Sequence, residues 1–589
     1  MQLPLTLVLT NYLALIISLF SCWGWGRIGL KLIRTKSGKQ KEIFSKGLIE
    51  SLALALGVGF AAISFQALLI AGIFQRNNVL LIISVGLIFA MLEFFRDSRQ
   101  LNNLAIHRNL WTPAHRLALG LVFIIGIPTL FAPLRPPIAW DEIMYHLPHA
   151  KQWAESGSLT VNYWLRYPWF PYNFDLLFSA SFLFDNDIFP HLIHASAGWM
   201  VAWLIYEIGA FHANRVVAGL AAAAWLYLTI DQYGQANVDM GVTLWLLAGC
   251  VAFWRGWESR LCGWWVLSAF FIGLAAGSKY QALGILPILT LAFAWRERRL
   301  KIWLLAGIAF AIPCAYWYVR NAFLAGDPFA PMGGRIFGFT DWNIEDYRTQ
   351  FEDLRIHAGF PNPILWTAPF VFISVAARHN RALVAAGILA FSQFLIWAMT
   401  SRYPRYLITV YPFLLLLTAQ GWYTVSLFVK ERWPTAWTWP RFKTIALVLL
   451  GLLLCAKSVT FSYENIQLIA VTPERREAIL LNRISGYRVI SYLRDHPVKK
   501  LYQFSMEDAI YYLPSPTWGE LFGPWRYKDY SLAPAVLRKK LLDQNFDALL
   551  VHTLRIPSLA SSQGFDQHFE LLSSDGVVAL YRIRSNIQP

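Results

Sequence analysis

The feature that most constrains this chain is a series of long apolar segments that recurs from residue 3 to about residue 462. Segments of this kind can cross a hydrocarbon core about 30 Å thick, alone or as shorter tilted helices. Of the 589 residues, 56% are hydrophobic and only 15% are charged, which is typical of a membrane protein. The sequence therefore predicts a polytopic α-helical membrane protein.

About fourteen crossings are predicted from the apolar runs. They cover residues 3–24, 47–74, 78–95, 117–133, 188–209, 216–230, 240–254, 264–278, 280–295, 302–318, 362–377, 382–399, 405–429 and 444–462. The first three form an N-terminal membrane extension within residues 1–116. The others form a transmembrane core, residues 117–462, which carries a large loop at residues 134–187.

Residues 463–589 are predicted to form a small α/β domain outside the bilayer. Helix-like runs lie at residues 483–495 and 532–543, and strand-like runs lie at 499–505, 508–513, 548–553, 568–573 and 577–584. No motif in this region indicates an activity of its own, so we expect it to shape access of an acceptor.

Lysine and arginine residues predict which side each connection faces, because basic connections resist translocation. Every second connection is basic, and these hold 24 cations against eleven in the others. Both termini, the loop at 134–187 and the C-terminal domain are therefore predicted to be extracytoplasmic, in the plasma (inner) membrane. An apolar piece at 174–184 is too short to span, so we expect an interfacial helix there. The net charge of +16 then reflects topology rather than nucleic-acid binding.

A glycine pattern at Gly24, Gly26 and Gly29 imitates a dinucleotide-binding fingerprint. That fingerprint requires a preceding strand, whereas these glycines follow a predicted membrane helix. The chain also contains no GxxxxGK[ST] phosphate loop, so nucleotide binding has no support. The five cysteines lie in or beside apolar segments, and no disulfide framework is predicted.

Several motifs occur in an order that is typical of one enzyme superfamily. They are WDEIMYHLPHAKQWAESGSL at 140–159 with the Trp/Pro-rich segment after it, Asn237-Val238-Asp239, the run from Gly273 to Tyr280, Tyr318-Val319-Arg320-Asn321 followed by Gly326-Asp327-Pro328, and Arg402-Tyr403-Pro404-Arg405-Tyr406. Together they resemble the GT-C superfamily of membrane glycosyltransferases, in particular family 39 and the rhizobial-type lipopolysaccharide sugar transferases. The resemblance implies transfer of a sugar from a polyprenyl-phosphate donor to a hydroxyl of a lipid, glycan or protein acceptor. It also implies that membrane lipids surround the protein.

Asp141 and Glu142 are the candidate catalytic residues. By position, Asp141 matches the acidic residue that the family carries in its first loop. A carboxylate near the acceptor hydroxyl can remove its proton as the new bond forms, so Asp141 is predicted to be the general base of an inverting transfer. Glu142 could share a metal ion, raise the pKa of Asp141 by like-charge repulsion, or cap the following helix. Helix capping and surface solvation remain alternatives for Asp141.

Four cations are predicted to bind the donor phosphate, namely Lys279, Arg320, Arg402 and Arg405. Lys279 lies in an apolar window, residues 264–295, that is too long for one crossing and basic at both ends. The window must therefore fold back, with Lys279 at its tip. The three arginines lie at outward ends of later crossings, and guanidinium groups can hold two phosphate oxygens. Snorkelling and lipid-headgroup contacts remain alternatives.

Asp239 and His146 are predicted to support the site or to bind a metal ion. Asp239 begins a crossing and has no basic neighbour in the sequence. Its carboxylate either interacts with the positive end of the helix dipole or faces Asp141 in a supporting or metal-binding role. Glu142 and His146 have the i, i+4 spacing that could ligate a divalent ion. The sequence leaves the metal requirement open, and no other cofactor is predicted.

Two other functions remain alternatives. A transporter of lipid-linked or small anionic cargo would also need outward cations, but it should show charged or broken-helix sites near mid-membrane and an internal repeat. A polysaccharide polymerase or ligase would use a lipid-diphosphate donor, and the acidic first loop argues against it. Fold resemblance does not identify the sugar, the acceptor or the lipid length.

Overall fold

Helices make up most of the molecule. The structure is a computed structural model that describes residues 5–34, 45–101, 112–432, 439–514, 517–519, 522–523 and 532–585. Up to residue 467 the α-helices are α1 Leu5–Arg34, α2 Lys46–Ile70, α3 Arg76–Leu101, α4 Pro113–Phe131, α5 Leu147–Ser156, α6 Asp175–Phe182, α7 Phe189–His212, α8 Arg215–Leu228, α9 Asp239–Ser259, α10 Cys262–Ala276, α11 Leu286–Arg296, α12 Leu300–Ala325, α13 Gly334–Phe337, α14 Ile344–Ile356, α15 Val375–His379, α16 Arg381–Met399, α17 Tyr411–Arg432 and α18 Trp439–Gln467. Tighter 3-10 turns lie at Ala132–Leu134, Ile230–Gln232, Tyr280–Ile285, Pro363–Ile373 and Pro404–Val410, and a π-helical turn spans Glu142–His146.

Several helices have the length and apolar character of membrane spans. In the part of the chain that the structure describes, seven helical segments are long and apolar enough to cross a bilayer. They are Thr6–Ile33, Lys46–Ile70, Arg76–Ser98, Pro113–Leu134, Leu300–Ala325, Arg381–Met399 and Pro404–Arg432. Shorter apolar helices lie at Arg215–Leu228, Cys262–Ala276 and Pro363–Ile373. Each of the fourteen predicted crossings overlaps a helical element, while the total number of crossings and their sidedness remain predictions.

The predicted reversal within residues 264–295 is present. Helix α10 ends at Ala276, Lys279 is extended, and α11 begins at Leu286. Both helices line one apolar cavity of about 270 Å³. The Trp265 ring of α10 lies 4.9 Å from the Phe293 ring of α11, so the two helices are in contact, with Lys279 in the connection between them.

The glycines that imitate a nucleotide fingerprint are packing residues. A Cβ atom added to Gly26 would lie 1.6 Å from the Ala53 carbonyl oxygen of α2. One added to Gly24 would lie 2.1 Å from the Gly86 carbonyl oxygen of α3. Small residues let membrane helices approach closely, so this pattern serves contact of α1 with its two neighbours.

The three N-terminal helices are joined to one another and to the core by polar contacts. Arg27 of α1 bonds to Glu50 at 2.8 Å and to Asp97 at 3.1 Å, which links α1 to α2 and α3. Gln66 of α2 donates to the Asn173 side chain at 3.2 Å. The extension is therefore packed against the core.

The C-terminal region is an α/β domain, as its coarse pattern predicts. Its helices are α19 Pro473–Arg483, α20 Tyr487–Asp495, α21 Pro534–Asp543, α22 Pro557–Ala560 and α23 Phe565–His568, and its strands are β1 Leu501–Phe504, β2 Thr517–Trp518, β3 Ala548–His552, β4 Phe569–Ser574 and β5 Val578–Ile583. The strand order is β2-β1-β3-β5-β4. Strand β1 is parallel to β2 and β3, whereas β5 is antiparallel to β3 and β4.

One predicted strand of this domain is wrong. Residues 508–512 of that run belong to a 3-10 helix, Glu507–Tyr512. Its aromatic side chains contact the large loop instead of the sheet. The Tyr512 hydroxyl donates to the Pro137 carbonyl at 2.5 Å. Contacts with another part of the chain therefore override the strand preference of these aromatic residues. Helix α19 and the short strand β2 are not predicted from the sequence.

The domain docks directly on the loop that carries Asp141. Ile143 is buried in the same apolar cluster as Leu480, Val489 and Leu550 of the domain. Arg476 also forms an ion pair with Asp187 at the far end of the loop. One apolar core therefore contains both the loop and the C-terminal domain.

Candidate active site

Asp141 lies at the start of the π-helical turn and faces a cation. Its carboxylate accepts a hydrogen bond from Arg405, which lies in the turn before α17. Burial alone would raise the pKa of Asp141, but the Arg405 guanidinium outweighs burial and holds that pKa below its usual value. The side chains of both residues are 18% exposed, so the pair is accessible.

A second ion pair adjoins the first. Lys279 Nζ donates to Asp239 Oδ1 at 2.7 Å, and Arg405 Nε lies 3.8 Å from Asp239 Oδ2. Lys279 also lies 4.6 Å from the centre of the Tyr406 ring. Burial lowers the pKa of Lys279, and Asp239 opposes that shift. Asp141, Arg405, Asp239 and Lys279 thus form one chain of alternating charges, which we call the Asp141 pocket.

The pocket retains unused hydrogen-bonding capacity. Arg405 Nε is buried and has no acceptor in the part of the chain that the structure describes. Lys279 is 17% exposed on its side chain, whereas Asp239 is only 5% exposed. An anion can therefore contact the exposed parts of Lys279 and Arg405, while the buried Asp239 holds Lys279 by a hydrogen bond.

Glu142 points away from this pocket and is fully buried. Its Oε1 accepts from the backbone N–H groups of Ile138 and Ala139, both at 2.6 Å. Its Oε2 accepts from His191 Nε2 at 2.8 Å and from the Ala236 N–H at 2.7 Å. Burial raises the pKa of Glu142, but His191 and the hydrogen bonds lower it below its usual value. Glu142 thus anchors the turn to α7 and to the chain before α9.

His146 and Glu142 do not face one another and do not form the predicted pair of metal ligands. Its Nδ1 lies 2.5 Å from Asp175 Oδ1, on the short helix α6. The i, i+4 spacing predicted to ligate a metal does not bring the two side chains together, because the turn is π-helical rather than α-helical. Across the described ranges, no three His, Cys, Asp or Glu side chains are grouped to hold a metal ion.

Arg320 and Arg402 lie outside the Asp141 pocket. Arg320 is buried and donates to the Pro168 carbonyl at 3.2 Å and to the Asn321 side chain at 2.8 Å. It therefore fastens the Trp/Pro-rich segment to α12. Arg402 is exposed and lies 5.6 Å from the centre of the Phe360 ring. The structure brings together two of the four predicted phosphate-binding cations.

The sequence alone did not point to Asp175. This residue is a single acid at the start of an eleven-residue apolar piece. An acid that interrupts an otherwise apolar interfacial helix is the signal that could have identified it.

The chain shares sequence with proteins of Shigella flexneri. It is 30% identical over 135 residues to the uncharacterized protein SF2092/S2214. The aligned region covers 21% of this chain and 74% of that protein. It is 34% identical over 132 residues to the uncharacterized protein SF2093/S2215, covering 22% of this chain and 64% of that protein. The family described as SF2091/S2213 matches residues 475–582. The chain belongs to the family of SF2092/S2214, and it spans less than two thirds of SF2093/S2215.

Among solved structures, the fold is similar to the crystal structure of ArnT from Cupriavidus metallidurans bound to undecaprenyl phosphate. The TM-score is 0.48 and the sequence identity is 14%, over 80% of this chain and 98% of that chain. At this score and identity, the similarity supports no argument about function.

Proposed function

We propose that this member of the SF2092/S2214 family is a membrane glycosyltransferase. It moves a sugar from a polyprenyl-phosphate donor to an acceptor hydroxyl, with inversion at the sugar C1 and with Asp141 as the general base. The reaction takes place on the extracytoplasmic face of the plasma membrane. The convergence of Asp141, Arg405, Asp239 and Lys279 from four separate parts of the chain is the observation that carries this proposal.

The two cations suit a phosphate that leaves with an additional negative charge. Fixed donors near the leaving oxygen lower the barrier most when they are already oriented. Asp239 orients Lys279 and lies near Arg405, so both cations are held in place before the donor arrives. The exposed part of the Arg405 guanidinium then gives a phosphate oxygen a charged donor.

Asp141 is suited to accept a proton late in the reaction. Because Arg405 keeps its pKa low, the carboxylate is ionised near neutral pH. When a donor phosphate engages Arg405, Asp141 shares that cation and becomes more basic. Donor binding therefore prepares the base, and the acceptor proton moves as the new C1–O bond forms.

The other predicted site residues take supporting roles in this proposal. Glu142 holds the turn that presents Asp141, because it bonds to the backbone of the loop just before the turn and to the buried His191 and Ala236. Arg320 shapes the Trp/Pro-rich segment rather than binding phosphate. Arg402 has no place in the pocket.

The test is a transfer assay with purified full-length protein in lipid nanodiscs. A panel of polyprenyl-phosphate-linked sugars is supplied with membrane extract, and released polyprenyl phosphate and the anomeric configuration of the product are measured. We expect transfer with inversion from at least one donor, and Asp141→Asn should lower kcat about 10²- to 10⁴-fold.

The matched measurement is donor binding, which Asp141→Asn should retain or strengthen, since Lys279 and Arg405 both remain and Arg405 no longer shares its charge with Asp141. Failure of every donor, or full activity in Asp141→Asn, contradicts the proposal. Movement of an intact labelled lipid across a sealed membrane would instead favour the transporter.

A further inference from the structure

A buried acid–histidine pair lies beside the Asp141 pocket. Asp175 is fully buried, and its Oδ1 lies 2.5 Å from His146 Nδ1. Its second oxygen, Oδ2, is buried without a hydrogen-bond partner in the described ranges. Burial raises the pKa of Asp175, and the histidine is the first group that opposes this shift. A carboxylate with one polar partner fixes the orientation of that imidazole ring.

The π-helical turn brings His146 to the side of Asp141. The Leu147 N–H bonds to the Glu142 carbonyl, five residues back. In an α-helix of 3.6 residues per turn, residues five apart point to different faces. A helical turn closed by i→i+5 bonds contains more residues than an α-helical turn. Two residues that are five apart, such as Asp141 and His146, therefore lie closer to the same face. Burial raises the pKa of Asp141, and the charges of Arg405 and of His146 lower it. The effect of His146 agrees with a position beside Asp141.

The second nitrogen of His146 is available for chemistry. Nδ1 is engaged by Asp175, while Nε2 has no hydrogen-bond partner among the described residues. Unlike Asp175 Oδ2, it is not among the atoms sealed from solvent without a partner. The imidazole therefore presents one unused proton-binding atom in a fixed orientation.

We propose that His146 receives the acceptor proton from Asp141 and holds it until the lipid phosphate has left, with Asp175 as the positioning residue. This inference rests on the proposed function. The acceptor O–H bond breaks as its oxygen bonds to C1, and the electron pair of the C1–O bond to phosphate stays on the phosphate oxygen. The proton moves from the acceptor oxygen to Asp141 and then to His146 Nε2.

The relay follows from the contrast between the two groups. A carboxylate held ionised by an arginine releases a proton readily, so it is a poor place to store one. An imidazolium at His146 has the Asp175 carboxyl group at hydrogen-bond distance, which supports a proton held on the ring. The titratable groups around His146 are Asp141, Tyr145, His149, Tyr172, Asp175 and His194.

The test is the pH dependence of kcat for sugar transfer by the full-length protein. Wild-type kcat should fall on the acidic side of the profile, because a relay that already carries a proton cannot take the proton of the acceptor. His146→Gln should lower kcat about 10²-fold at neutral pH, lack this acidic loss and keep the donor KM within about twofold. Asp175→Asn should move the acidic loss to lower pH, because the imidazolium loses its counter-charge.

His149→Gln is the matched control. His149 lies three residues away, and its Nε2 bonds to the Arg166 carbonyl at 2.9 Å. Burial lowers the pKa of His149 to about 3, so it stays neutral over the range tested. This variant should keep the acidic loss, and thermal unfolding of each variant gives the amount of folded enzyme.

The outcomes separate the relay from the function on which it rests. Transfer by wild type with an unchanged pH profile in His146→Gln overturns the relay alone. Equal loss of kcat in His146→Gln and His149→Gln, with the acidic limb intact in both, assigns His146 a structural role and also overturns it. Absence of transfer by wild type from every donor overturns both proposals.

Discussion

Asp141 and Glu142 are adjacent in sequence, but they lie in two different regions of the molecule. Around Glu142, four donors fill both oxygens, and the side chain is fully buried. Around Asp141, one arginine provides the hydrogen bond that the structure gives this carboxylate, and the side chain stays 18% exposed. A carboxylate with all its acceptor sites occupied fixes structure, whereas one with spare capacity can take a proton. Two like residues in one motif thus divide anchoring and chemistry between them.

The largest expected effect is on stability, at the anchoring residue. Glu142→Ala should lower the free energy of unfolding by about 3–5 kcal/mol, because it leaves the His191 imidazole, the buried Ala236 N–H and two partly buried N–H groups without their acceptor. Asp141→Ala should lower it by less than about 1 kcal/mol, since that pair is partly exposed. Thermal unfolding in the same detergent measures both, and equal losses would contradict the division.

The next largest effect is on binding of the donor phosphate. Arg405→Ala should raise the Kd for a polyprenyl phosphate about 30-fold, near the loss of about 2 kcal/mol expected for a charge-assisted hydrogen bond. Arg402→Ala is the matched control, because it is an exposed arginine three residues away and outside the pocket. It should change the Kd by less than about twofold. Titration of nanodisc-embedded protein distinguishes them, and a similar change in both would remove Arg405 from the site.

A smaller effect is expected at Lys279. Lys279→Ala should raise the Kd for the same lipid about tenfold, which is about 1.4 kcal/mol, because Arg405 still holds the phosphate. Lys279→Arg should recover part of the affinity, since it keeps the charge next to Asp239. The same titration checks this. If Lys279→Ala binds as wild type does, the lysine serves only to neutralise Asp239.

The smallest effect is on the pH dependence of stability. The pKa of Glu142 is lowered in the folded protein, so its contribution is complete above the unfolded pKa and is lost as the pH falls through the folded value. We therefore expect the melting temperature to fall when the pH drops below about 4, the range of an ordinary glutamate. Glu142→Gln should show a weaker fall over this interval. An identical slope in the variant would show that other carboxylates dominate.

The sequence predicts the helical class, the fold-back around Lys279 and the outline of the C-terminal domain, because these follow from apolar length, charge placement and strand periodicity. It also selects four residues that meet in one pocket, Asp141, Asp239, Lys279 and Arg405. Those residues are polar side chains at the ends of apolar segments, which is a local signal.

What the sequence does not reveal depends on contacts between distant parts of the chain. Nothing local distinguishes Glu142 from Asp141, because the difference arises from His191 and Ala236, about 50 and 94 residues away. The π-helical turn is similarly hidden, since an α-helical spacing and a π-helical spacing fit the same letters. The strand predicted at 508–513 fails for the same reason, because its aromatic residues contact the loop rather than the sheet.

Ile143 belongs to the core of the C-terminal domain although it lies two residues after Asp141. The domain and the proposed catalytic turn are therefore partners in folding, and neither has a complete interior without the other. A protein that exchanged this domain for a different one would have to rebuild the packing of the turn at the same time. A chimera that takes its C-terminal domain from a relative should thus fold only when the loop at residues 134–187 comes from the same relative.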